Sequence, residues 1–321
     1  MSSQTFRLLF VAGTLLLSTS LGAQDYPSKP IKIIIPVPPG AAVERMARLV
    51  GDRLSSEWNQ PVVVESRSGA AGNIGAEFFA KSAPDGYTLM VTAASVLVIN
   101  KSLYSKLTYN PDNFVPVTII ASSPNVLMMH PKPGIDNIRE LMSYAKSNPE
   151  KLNFGSGGSG STAHLTAELF TSMAGIKLTH IPYKGSAPAI TDLLGGQVDM
   201  VFIELGSALP HVRSGKLRAL AVGSEKRAPV LPDVPAIAEV LPGYVSSVWF
   251  GMVAPPGTPA AIAGKLSSSI AEGVKQPAFQ KRLSELGVDG RGSTPAEMAL
   301  FMKQESDRWG KVIKSAGIVP E

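Results

Sequence analysis

Lys151-Leu152-Asn153-Phe154-Gly155-Ser156-Gly157-Gly158-Ser159-Gly160-Ser161-Thr162 decides how this chain folds. An apolar strand over 151–154 runs into a bend made almost wholly of glycine and serine. A helix-period segment over 162–173 follows at once. Strand, small-residue turn and helix in this order mark the carboxyl edge of an open α/β sheet. Outward from the bend the rhythm repeats: strand 177–181, helix 187–194, strand 198–203 and a further strand 217–222. Upstream lies a matching unit. Pro30-Ile31-Lys32-Ile33-Ile34-Ile35-Pro36 is a buried strand between prolines, and apolar positions 43, 46, 47, 50, 54 and 58 set a helix. Strand 61–65, helix 73–82 and strand 87–92 complete it. The spacing predicts two doubly wound α/β units with parallel strands and right-handed crossovers.

Two extended apolar segments join the units, 114–121 between them and 245–253 after the second, the latter stopping at Pro255-Pro256-Gly257. The tail is helical over 260–273, 277–286 and 295–316 and too poor in strands to be a third domain, so it is expected to pack on the first unit. The chain then crosses between units twice, near 121–125 and 246–253, which makes a hinge with a cleft between two lobes. The expected division is 24–122 plus 251–321 for domain 1 and 123–250 for domain 2.

Residues 1–23 read differently. Arg7 precedes an apolar run over 8–17, and small residues lead to Ala23 before Gln24-Asp25, the pattern of a signal peptide cleaved near residue 23. The run is shorter than the roughly 20 residues that span a bilayer. With 44% hydrophobic and 17% charged residues the chain is a folded one. Its net charge of +5 comes without a basic run, so no nucleic-acid partner is expected. Cysteine is absent, which excludes disulfides, thiolate metal sites and a cysteine nucleophile.

Three strand-to-helix bends are candidates for binding: Pro38-Pro39-Gly40-Ala41-Ala42, Gly69-Ala70-Ala71-Gly72-Asn73-Ile74-Gly75 and the Gly155–Thr162 run. Each lets backbone N–H groups approach a guest with a helix N-terminus behind them, an arrangement suited to an anion. Ser156, Ser159, Ser161 and Thr162 add hydroxyls. His164 either hydrogen-bonds a guest or caps and packs. Tyr183-Lys184 offers a hydroxyl and a positive charge, or simply a solvated lysine. Gly155-x-Gly157-x-x-Gly160 fits the dinucleotide fingerprint only formally, because Pro182-Tyr183-Lys184 supplies no acidic residue for a ribose. No G-x-S-x-G elbow occurs, and the four histidines show no metal-ligand spacing. Glu44 and Glu204 lie beside candidate bends without an identifiable nucleophile or metal. No cofactor, metal or catalytic residue is expected.

These pieces, together with Tyr26-Pro27-Ser28-Lys29-Pro30-Ile31, Gln60-Pro61-Val62-Val63-Val64-Glu65, Gly72-Asn73-Ile74-Gly75, Pro84-Asp85-Gly86-Tyr87-Thr88-Leu89, Ile99-Asn100, Pro182-Tyr183-Lys184-Gly185 and Gly196-Gln197-Val198-Asp199, resemble the Bug-type receptors. Those are the extracytoplasmic solute receptors of tripartite tricarboxylate transporters, and the resemblance runs through the whole mature chain. It implies a periplasmic binding protein-like, type II-like two-lobe fold. It also implies a small organic carboxylate as ligand, delivery to the membrane permease subunits, a monomer and no enzymatic activity. The family's ligand contacts, largely backbone amides and ordered waters, would fall on Pro39, Gly40, Ala41, Ala42, Val43 and Glu44 of the first lobe. In the second they would fall on Ser156, Gly157, Ser159, Gly160, Ser161, Thr162 and His164, with Ser95, Val96, Tyr183, Lys184, Ile203 and Glu204 around them. The chain departs from the family at several places. Ala41 and Val43-Glu44 replace a second glycine and Thr-Asp, Val96-Leu97 replace polar residues, and Ile203 stands where an Asp holds an amino group. These changes predict a carboxylate with an apolar or aromatic body rather than citrate or an amino acid, unless Glu204 turns inward and selects a cation. A periplasmic enzyme acting on small carboxylates and a ligand-sensing partner protein are the alternatives.

Overall fold

The computed structural model describes residues 26–319, so the expected signal peptide lies outside the described residues. The first lobe opens with β1 (Ile31–Ile35), α1 (Ala42–Trp58), β2 (Val62–Ser66), α2 (Asn73–Ala80) and β3 (Thr88–Ala93). β1 pairs parallel with both β2 and β3. α1 forms because its apolar stripe, Met46, Ala47, Val50 and Leu54, is wholly buried against the sheet. Each such large side chain contributes about 1.5–3 kcal/mol on burial. A wide π turn over Ser95–Ile99 leads into the short α3 (Asn100–Leu103).

β4 (Val115–Met129), fifteen residues long, belongs to both lobes. Its first part pairs antiparallel with β9 (Ser247–Ala254), as far as Pro124 opposite Ser247. Its second part carries the other sheet. The second lobe contains α4 (Ile138–Ser147), β5 (Asn153–Ser156), α5 (Thr162–Ala174), β6 (Thr179–Pro182), α6 (Ser186–Leu194), β7 (Met200–Glu204), α7 (Leu205–Arg213) and β8 (Arg218–Val222). β5 pairs parallel with β6 and β7, while β7 and β8 run antiparallel to β4. After β9 the chain finishes on the first lobe with α8 (Ala260–Lys275), α9 (Pro277–Glu285), β10 (Asp289–Gly290) and α10 (Pro295–Ser315). α10 starts on a capping box, in which Thr294 Oγ1 accepts from Glu297 N–H (3.2 Å) and Glu297 Oε2 accepts from Thr294 N–H (2.8 Å).

The α/β two-lobe fold is the one expected, with one correction. Neither sheet is purely parallel: β9 lies antiparallel between β3 and β4 in the first, and β4 runs antiparallel to β7 and β8 in the second. A chain that leaves one lobe and returns through an adjacent strand must run against its neighbour. Helices cover both faces of each sheet, giving two apolar clusters per lobe. The lobes also touch away from the connecting strands. Leu165 of α5 joins the first lobe's cluster of Trp249, Met298 and Trp309, and Gly206 of α7 lies against Leu286 and Gly287.

Candidate functional site

A cavity of about 340 Å³ lies at the carboxyl edge of β5, β6 and β7. Three helices begin there, and each sends its first turn to the wall: Ser161, Thr162 and Ala163 from α5, Gly185 and Ser186 from α6, Glu204 and Ser207 from α7. Gly157 forms part of the wall, with Ile190, Phe202 and Ile203 as its apolar portion. Asn125 of β4 and Val248 of β9 close it on the hinge side.

The bend between β5 and α5 owes its shape to glycine. Gly158 and Gly160 hold φ of +123° and +72°, conformations that other residues adopt only under strain. Ser156 is buried, and its Oγ accepts from Gly158 N–H (3.1 Å) and lies 2.7 Å from His180 Nε2. Gly160 N–H donates to His164 Nδ1 (3.0 Å), which leaves the proton of this ring on Nε2, facing Glu168 Oε1 at 3.5 Å. Ser161 Oγ caps α5 by accepting from His164 N–H (3.3 Å). The hydroxyl proton of Ser161 has no acceptor among the described residues, so it can be offered to a guest. At Gly157 a Cβ would sit 3.3 Å from Ser186 N and Oγ, so the start of α6 packs closely on the bend and would have to give by a few tenths of an ångström to admit a side chain here.

His164 therefore supports the bend from beneath. It stacks on His180 with centroids 3.9 Å apart, and His180 stacks in turn on Phe154 at 4.8 Å. Burial, then the neighbouring His164, pushes His180 down to about 4. Tyr183 is also turned to a structural task. Its hydroxyl donates to Asp192 Oδ2 (2.7 Å), and burial followed by that carboxylate pushes it up to about 12. Lys184 and Ser159 are exposed beside the cavity without lining it.

The first-lobe candidates lie outside this cavity. Glu44 bends back on its own turn, where Oε2 accepts from Gly40 N–H (2.6 Å) and Oε1 from Arg48 Nη2 (2.6 Å). Gly40 N–H first, and then Arg48, hold this carboxyl below the usual range. The bend's anion-seeking amide is thus occupied by the chain's own carboxylate. Pro39 is exposed, Ala41 and Ala42 are partly covered, and Val43 is in the core. Val96 is also core, and Ser95 is partly covered, with its carbonyl accepting Asn100 N–H.

Of the residues singled out from sequence, the structure gathers Gly157, Ser161, Thr162, Ile203 and Glu204 around one cavity. Asn125 was not among them. It is buried at the hinge, with Nδ2 donating to Ser246 Oγ (2.7 Å) and Thr166 Oγ1 (3.3 Å). An asparagine continuing an apolar strand is the signal that would have found it, since a buried amide needs partners. Ser186 and Ser207 follow from the same strand-turn-helix logic as Thr162. Among the described residues no group of three or more His, Asp or Glu is placed to hold a metal ion.

The two sheets joined by β4 and β9, with a cavity at helix N-termini beside the joining strands, define a two-lobe solute-binding protein. Sequence comparison gives the family. The tripartite tricarboxylate transporter family receptor profile (TctC) matches residues 46–318, and the chain belongs to this family of Bug-type solute-binding receptors. It is 38% identical to BugT of Bordetella pertussis over 318 residues, which is 97% of this chain and 98% of that protein. Among solved structures it resembles Rpa4515 of R. palustris with adipate, with 37% identity, a TM-score of 0.81 and coverage of 92% of this chain and 100% of that one. It also resembles MatC of Rhodopseudomonas palustris with bound malate, with 31% identity, a TM-score of 0.75 and coverage of 90% and 100%.

Proposed function

We propose that the protein is exported to the periplasm, its signal peptide cleaved near residue 23, and that it captures a small organic carboxylate between its lobes as a monomer. It hands that ligand to the membrane permease subunits of a tripartite tricarboxylate transporter and carries out no chemistry on it. Residues 24–122 with 251–321 form one closing unit and 123–250 the other. The observation that carries this reading is the convergence of the first turns of α5, α6 and α7 on one cavity. Each N-terminus contributes about 0.3–1 kcal/mol toward an anion. Hydrogen bonds to a charged group add roughly 1.5–3 kcal/mol each. A few of them reach the roughly −8 kcal/mol of micromolar affinity after the costs of binding. Ile190, Phe202, Ile203 and Val248 favour an apolar body between the polar ends of the guest. The adipate and malate of the two relatives support a carboxylate. Closure follows because contacts from both lobes exist only in the closed state. On closure Pro39–Ala42, Glu44 and Ser95 approach the ligand from the first lobe and Gly40 exchanges Glu44 for the guest, while Val43 and Val96 stay in that lobe's core.

A thermal-shift screen of mono- and dicarboxylates, aliphatic and aromatic, tests the reading. Ligand at about 100 times its dissociation constant adds about 2.7 kcal/mol of stability. A panel without any shift would overturn capture, and turnover of a hit would replace the receptor with an enzyme.

A further inference from the structure

Glu204 is a carboxylate in a wall where an anion is to be held. It ends β7, whose partner across the ladder is Asn125, and it stands at the N-cap of α7 without capping it through its side chain. Its Oε1 accepts from Ser207 Oγ (3.1 Å), and among the described residues Oε2 has no protein donor and no cation lies within ion-pair distance. No lysine or arginine lines the cavity. The remaining polar wall groups, from Asn125, Ser161, Thr162, Ser186 and Ser207, are neutral. The only formal side-chain charge on the wall is therefore negative.

We infer that Glu204 sets the selectivity of this cavity: it selects an amino-carboxylate, a guest with a carboxylate at one end and an ammonium or equivalent donor at the other, and it rejects a second carboxylate. This rests on the capture of a carboxylate proposed above and specifies its partner group. The guest's carboxylate meets the amides at the starts of α5 and α6, where only hydroxyls and N–H groups stand. Its body lies along Ile190, Phe202 and Ile203. Its far end meets Glu204, whose open oxygen accepts from an N–H. A dicarboxylate of the same length would bring two like charges together in a partly desolvated space, and such juxtaposition is strongly unfavourable. The residue expected to hold an amino group is Ile203, which has no polar atom in its side chain. Glu204, one position along and beyond the strand end, supplies the charge instead.

Length-matched acids test this with the full mature chain. Calorimetry would compare 6-aminohexanoate, adipate and hexanoate, and 4-aminobutanoate, succinate and butanoate. In the wild type the amino acid of at least one set binds about tenfold or more tighter than its dicarboxylate. Glu204→Gln abolishes that ratio while the melting temperature of the empty protein stays close to wild type. Glu204→Lys reverses it in favour of the dicarboxylate. Equal or tighter binding of the dicarboxylates by the wild type, or an unchanged ratio in Glu204→Gln, overturns the role of Glu204 and leaves carboxylate capture standing. Binding of none of the six, with none in the wider thermal-shift panel, overturns both.

Discussion

The imidazole rings of His164 and His180 lie nearly parallel, 6° apart with centroids 3.9 Å from each other, directly under the glycine-serine bend that walls the cavity. His164 accepts Gly160 N–H, and His180 touches Ser156 Oγ, so the two rings fix both ends of the bend. A proton on His180 would place a charge in a buried stack against the His164 ring.

That stack makes the protein sensitive to acid. His180 titrates at about 4 in the folded state against an ordinary 6.5, because burial and His164 favour the neutral ring. Between these values the unfolded chain binds the extra proton and the folded one does not. Stability is therefore fully present above pH 6.5, falls as pH drops toward about 4, and loses no more to this group below that. Melting temperatures across this range should drop in the wild type and drop less in His180→Phe, which keeps the stack on Phe154 and removes the proton site. Parallel pH profiles for the two proteins would show that the stack is not the acid-sensitive element.

Glu305 holds the crossover strand to the last helix. Its buried carboxylate accepts from Trp249 Nε1 (3.2 Å) on β9, from Trp309 Nε1 (3.1 Å) on α10 and from Arg308 Nη2 (2.7 Å). Arg308 also donates to the carbonyl of Val245, just before β9. Glu305→Ala leaves two indole N–H groups without an acceptor and Arg308 with the Val245 carbonyl alone. Removing one partner of a buried ion pair costs about 3–5 kcal/mol. Urea denaturation followed by tryptophan fluorescence measures it, and a loss below about 1 kcal/mol would mean that water replaces the carboxylate at little cost.

Much of this architecture is legible in the residues themselves. β1 to β3 and β7 to β9 fall on apolar runs, β5 and β6 start two residues later than the strands read at 151–154 and 177–181 and carry polar residues or glycine, and the tail's three helices fall where their period places them. The second half of β4 was not legible. Ser122, Ser123 and Asn125 break its apolar run, yet all are buried, because their polar groups are satisfied by Arg291, Gly287 and Ser246 from distant parts of the chain. α7 was hidden for a different reason, since Pro210 inside it argues against a helix. The second-lobe half of the site was readable as small residues after strands. The state of the first-lobe bend was not, because only the fold brings the Glu44 carboxylate back onto Gly40 N–H.

Gly206 and Gly287 set how closely the lobes sit beside the connecting strands. A Cβ on Gly206 would lie 2.6 Å from Leu286 O, and one on Gly287 would lie 2.4 Å from Gly206 Cα. Backbone stands against backbone, so no side chain can yield. Gly206→Ala should cost about 1–3 kcal/mol as an overpacked contact. It should also shift the lobes apart, which small-angle scattering reads as a larger radius of gyration. An unaltered melting curve together with unaltered scattering would show that this contact does not set the lobe arrangement.

Gly157 and Gly160 separate binding from folding within one bend. Gly157 does not sit at the positive φ that disfavours a side chain, and its missing Cβ borders the cavity beside Ser186. Gly157→Ala should therefore cost the empty protein no more than about 1 kcal/mol, the start of α6 giving by a few tenths of an ångström, while weakening carboxylate binding about tenfold or more, because the new methyl stands between the guest and the start of α6. Gly160 is the converse. Its φ of +72° disfavours a side chain, and a Cβ there would meet Leu103 Cδ1 at 2.7 Å rather than the cavity. Leu103 can rotate away, so Gly160→Ala should lose stability, about 1 kcal/mol, with affinity largely retained. Calorimetric affinities and denaturation curves for the two variants should cross. If Gly160→Ala lost binding and Gly157→Ala did not, the ligand would have to lie on the Leu103 side of the bend, against the first lobe, and not among the three helix starts.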